Sequence, residues 1–101
     1  MGIDARWVDE HGDELDVVFD ERAIVREIVA AAGSASACLR FVDPYGDTLF
    51  NQAQIEALFD ELTWMERERL SPPARQQLEK LLALTERARG EAHTYLKFSG
   101  D

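Results

Sequence analysis

Thiols are almost absent from this chain: among its 101 residues Cys38 is the only cysteine. That excludes an intrachain disulfide. With only two histidines, His11 and His93, it also leaves no closed tetrahedral zinc set. Long apolar runs are missing too; none approaches the roughly 18–20 residues that cross a bilayer. The N-terminus lacks the basic-then-apolar pattern of a secretory signal, so a reduced, cytoplasmic setting is expected. Bases are scarce, with 11 Lys and Arg against 20 Asp and Glu, a formal net charge of −9 and a pI near 4.6. A phosphate-tracking nucleic-acid binder needs a basic face, and so does a protein that lies on anionic lipid. Neither class fits.

Sequence signatures of catalysis and of bound cofactors are lacking as well. Gly33-Ser34-Ala35-Ser36 has neither the lysine nor the second glycine of a phosphate loop. There is no Gly-x-Ser-x-Gly elbow and no His-Glu-x-x-His pair. Asp9, His11, Asp13 and Asp16 cluster, but without the spacing or distal glutamate of a calcium loop, so no metal and no cofactor is expected.

What is present suits one α+β domain over residues 1–101. Apolar residues make up 46 %, enough for a real core. The acidic excess sits at the front: residues 1–21 carry eight acids against one base, Arg6, while residues 67–101 carry seven bases against five acids. Ala5 to Glu10 and Leu15 to Phe19 alternate about a His11-Gly12-Asp13 turn, which predicts a β-hairpin. Leu15, Val17 and Phe19 fall on one side of its second strand.

Asp20 is placed to cap a helix that follows directly, in which Ile24, Val25, Ile28, Val29 and Ala32 recur at helical spacing up to Gly33. Ala37 to Asn51 then reads as a central hairpin turning at Asp43-Pro44-Tyr45-Gly46. Leu39 and Phe41 would share one face, with Cys38, Arg40 and Val42 on the other. Asn51 caps a long helix striped by Ile55, Leu58, Phe59, Leu62 and Met65. Ser71-Pro72-Pro73 starts another, striped by Leu78, Leu81, Leu82 and Ala88. His93 to Phe98 alternates cleanly as a closing strand. The expected order is ββαββααβ: a mostly antiparallel sheet of about five strands, with its helices on one face.

Three functional expectations follow. In the first, the chain is a non-enzymatic protein-binding domain for a basic partner. Asp9, Glu10, Asp13, Glu14, Asp16 and Asp20 steer the encounter, and Trp7 anchors it. In size, charge and general architecture such a domain is similar to toxin-neutralising immunity proteins and regulatory adaptors. In the second, Arg40, His93, Tyr95 and Lys97 converge on the uncovered sheet face to bind a small anion or ligand, with a minor enzyme as a variant of the same reading. In the third, the chain is a structural homodimer, with Trp64, Met65 and Leu70 as interface candidates and Trp64 foremost.

Overall fold

The computed structural model describes residues 2–100. The front hairpin forms as its alternation requires, from β1 (Asp4–Asp9) and β2 (Glu14–Val18), antiparallel about a turn in which Gly12 takes φ 85°. Pairing passes from Trp7 with Asp16 to Val8 with Glu14, so Leu15 is the extra residue of a β-bulge. Ahead of helix α1 (Val25–Ala32) the chain turns through Ala23 at φ 54°. Helices α2 (Gln52–Trp64) and α3 (Pro72–Ala88) begin at the expected caps. Asn51 forms a capping box with Gln54, and Ser71 accepts from the Ala74 amide with Pro72 at the first helical position.

The sheet has four strands, in the order β2-β1-β4-β3, where β3 is Asp47–Phe50 and β4 is Thr94–Ser99. All neighbours are antiparallel. The closing strand therefore inserts between β1 and β3, with Leu96 and Phe98 fully buried beneath the helices. Ile28 of α1, Ile55, Leu58 and Leu62 of α2, and Leu78, Leu81 and Leu84 of α3 complete that core. Phe50 meets Phe98 edge-on at 5.7 Å. The Cα radius of gyration, 12.2 Å, is close to the ~13 Å expected at this length.

The central hairpin does not form, which is why there are four strands and not five. Residues Leu39–Phe41 make one 3₁₀ turn, and β3 pairs with β4 alone. The cause is Glu61 on α2. Its carboxylate accepts from the amides of Ala37 (2.8 Å), Cys38 (2.7 Å) and Leu39 (3.1 Å), donors that a strand would have given to a neighbouring strand. Ser36 Oγ accepts the Arg40 amide at 2.8 Å and tightens the turn. Leu39 and Val42 then point into the core while Phe41 is exposed, where alternation would have put Leu39 and Phe41 together. Cys38 is buried here, and burial, with the nearby Glu61 carboxylate, raises its thiol to about 11. Such a thiol is a poor nucleophile.

Glu27 of α1 reaches across to the start of α3, accepting from both the amide and the hydroxyl of Ser71, each at 2.7 Å. The Ser71 amide first, then its hydroxyl, holds the Glu27 carboxyl below its ordinary 4.5. Asp16 is likewise held below 3.8, first by the Val17 amide and then by Arg87. A depressed folded-state pKa gives stability that is complete above the unfolded value and disappears as pH falls through the folded one. In an acid titration from neutral pH to about pH 2, the stability gap between the native chain and Glu27→Gln/Asp16→Asn should therefore close. A gap constant across that range would show that neither carboxylate titrates as described.

Candidate interaction face

Register assigns each strand residue to a face. Ala5, Trp7, Val18, Phe50, Leu96 and Phe98 turn toward the helices. On the other side one row crosses all four strands as Val17, Arg6, Lys97 and Leu49; the next runs Glu14, Val8 and Tyr95. Arg6 and Lys97 are like charges on adjacent strands, and carboxylates relieve them. Arg6 meets Glu14 at 3.2 Å and Asp4 at 3.7 Å, and Lys97 meets Asp47 at 3.5 Å. Arg6 also lies over the ring of Phe19, 5.9 Å from its centroid, which extends the row beyond β2.

Among the described residues no helix covers this side of the sheet. Leu15, Phe19 and Leu49 are about half exposed, whereas Val8, at 7 % exposure, forms the floor of a broad shallow depression of about 660 Å³. Arg6, Asp9, Glu10, Glu14, Leu49, Tyr95 and Lys97 surround it. Five carboxylates (Asp4, Asp9, Glu10, Glu14 and Asp47) stand on or beside the face against two cations. The surface is thus apolar in patches and net acidic.

Of the four residues expected to bind an anion, the face holds Tyr95 and Lys97. Arg40 lies on the 3₁₀ turn, stacked at 4.5 Å on Phe41, because Glu61 pulls that segment away from the sheet. His93 falls one residue before β4 in a left-handed conformation (φ 61°), so its ring projects from the strand end toward Glu10, 3.5 Å away. Together the four make no cationic cluster. Among the described residues, no group of three or more His, Cys, Asp or Glu side chains is placed to hold a metal ion.

The acidic residues assigned to steering divide by role. Asp20 is buried: its carboxylate accepts from the amides of Ile3 (2.9 Å), Ile24 (2.8 Å) and Val25 (3.1 Å), tying the segment just before β1 to α1. It caps from five residues before α1, since the helix begins later than its apolar spacing suggests. Asp9 closes its own turn, accepting the His11 and Asp13 amides at 2.8 and 2.9 Å. Asp16 pairs with Arg87 of α3, on the helix side of the sheet. Glu14 belongs to the uncovered face, Glu10 sits between the two histidines, and Asp13 is exposed in the turn.

Trp7 packs against the core from the helix-facing side, its indole nitrogen buried with no hydrogen-bond partner among the described residues, so it is no surface anchor. Met65 is core and Leu70 packs against it. Trp64 remains exposed at the end of α2 under Arg67, 4.3 Å away. Sequence reasoning missed Arg6, Val8, Phe19 and Leu49 as parts of one surface. The signal was there in the shared alternation of β1 and β3, but it needed the strand order to be combined.

Compared with protein-family models, curated proteins and solved structures, the chain matches none. Among the described residues no helix is long and apolar enough to cross a membrane.

Proposed function

We propose that this chain is a non-enzymatic protein-binding domain, acting as an inhibitor or adaptor of a basic partner, and that it takes that partner on the uncovered sheet face. The observation that carries the reading is the half exposure of Phe19 and Leu49 at opposite margins of a net-acidic sheet face. Apolar anchors supply the short-range energy of a complex, while the surrounding carboxylates and the net charge of −9 speed encounter with a cation-rich surface. Steering rests on Glu10, Asp13 and Glu14, with Asp4 and Asp47 joining them on or beside the face. Asp20 has no part in it, being enclosed. A small-anion site built on Arg40, His93, Tyr95 and Lys97 has less support, since Lys97 already pairs with Asp47 and Arg40 lies elsewhere.

The test is affinity capture from the native host with the wild-type chain and with Phe19→Ser/Leu49→Ser, followed by binding kinetics on the protein recovered. A basic partner is expected, with an association rate that falls as salt rises and an affinity at least about tenfold weaker for the double variant. An acidic partner, or one held equally well by the double variant, would overturn the reading. A dimer of the chain alone, dissolved by the same two substitutions in sedimentation, would reassign the face to a second copy.

A further inference from the structure

The stretch from Arg22 to Gly46 departs from the rest of the chain in charge. It holds three arginines and two acids, where the remainder holds eight bases and eighteen acids. Both acids hydrogen-bond the protein itself, half-buried Glu27 by accepting from Ser71 and exposed Asp43 by accepting the Tyr45 amide at 2.8 Å. Where α1 meets the loop before β3, Ile3, Val29, Ala30, Val42 and Pro44 line an apolar pocket of about 220 Å³ with Arg26 at its rim. Arg26 extends over the ring of Tyr45, 5.2 Å from its centroid. Among the described residues its guanidinium meets no carboxylate within 4 Å.

Tyr45 is 71 % exposed yet held on a fixed loop. The Asp43 amide donates to Thr48 Oγ1 at 2.9 Å, and the Gly100 amide donates to the Gly46 carbonyl at 2.8 Å. Gly100 passes so close to the loop that a Cβ there would lie 2.3 Å from the Pro44 carbonyl oxygen. An exposed aromatic on a preorganised loop loses little conformational freedom when it is covered. The pocket is smaller than the ~300–1,000 Å³ of metabolite sites, and fits one aliphatic side chain better than a cofactor.

We infer that the Arg26–Tyr45 patch is a second docking surface, independent of the sheet face, and that it takes an acidic segment of a protein with one aliphatic side chain as anchor. The anchor fills the pocket between Val29 and Val42. A neighbouring carboxylate takes the free N–H edge of the Arg26 guanidinium, whose flat side is already stacked on Tyr45. With the two surfaces separate, one copy could engage a basic protein and an acidic segment at once.

The experiment is an amide-resolved NMR titration of the full chain with the peptide acetyl-Glu-Asp-Leu-Ile-Asp-Glu-amide, and with a counterpart in which lysine replaces every acid. The acidic peptide should give saturable shifts centred on Ile3, Arg26, Val29, Val42 and Tyr45, and the basic one none there. Arg26→Gln and Tyr45→Ala should each weaken binding at least about tenfold, with circular dichroism unchanged because both side chains are at the surface. Three results would overturn the inference: no saturable shift at these residues up to millimolar peptide, unchanged affinity in both variants, or tighter binding of a single-stranded oligonucleotide at the same residues.

Discussion

Asp20→Ala is expected to destabilise the chain by about 4 kcal/mol. The carboxylate is 4 % exposed and accepts from three backbone amides, of Ile3, Ile24 and Val25. Alanine leaves all three donors without an acceptor in a space too closed for water to serve each of them, and desolvated donors cost about 1–3 kcal/mol apiece. For a domain of this length the melting temperature should fall by roughly 15–30 °C. Asp20→Asn should recover only part of the loss, because its one carbonyl oxygen replaces two acceptors. Thermal melting of the three proteins tests this directly. A shift of a degree or two for Asp20→Ala would return the residue to the exposed, charge-bearing role that its neighbours suggest.

Glu61→Ala should cost about 3 kcal/mol, by a related mechanism with a different local signature. Its carboxylate holds the amides of Ala37, Cys38 and Leu39 in the 3₁₀ turn that seats Leu39 and Val42 in the core. These amides are nearer the surface than those around Asp20, so water replaces part of what is lost. Glu61→Gln keeps one acceptor but turns an amide donor toward backbone donors, and should lie much closer to alanine than to wild type. Urea denaturation gives the energy. Hydrogen exchange gives the place, with protection lost first at residues 37–42. If exchange rises evenly over the whole chain, the carboxylate is not a local clasp.

The two residues mark where sequence pattern stops being informative. Alternation in His93 to Phe98 and helical spacing in α2 and α3 report which side of an element is greasy, and those readings agree with the buried Leu96, Phe98, Leu58 and Leu81. The caps at Asn51 and Ser71 were legible because capping chemistry is local. Ala37 to Val42 carries the same alternation as a true strand, yet its conformation is decided by a glutamate more than twenty residues away. Nothing in a short window encodes that. Asp20 was legible as a donor-binding cap for α1, but its second reading as a steering charge failed, since an aspartate in an acidic run reads as a surface charge until the segment before β1 folds over it.

The proposed interaction face was half legible. Tyr95 and Lys97 follow from alternation alone, but their neighbours depend on which strands lie beside β4. Strand order is a long-range property: β1 and β3 are joined to β4 only through the whole helical layer. Once the order is known, Val17, Arg6, Lys97 and Leu49 form a single row, and Phe19 continues it. The bulge at Leu15 and the shortness of β3 also blunt the two sheet edges against strand-to-strand association. On the proposed reading, a partner docks on the face and not on an edge.

Helices seal one side of the sheet, and on the proposed reading the other side takes a protein partner. Attenuation of side-chain NMR signals by a soluble gadolinium chelate measures this residue by residue, in the free chain and in the complex with the captured partner. Phe19 and Leu49 should be strongly attenuated in the free chain and protected in the complex, with Leu96 and Phe98 silent in both. Protection of Phe19 and Leu49 in the free, dilute chain, or their continued attenuation in the complex, would contradict it.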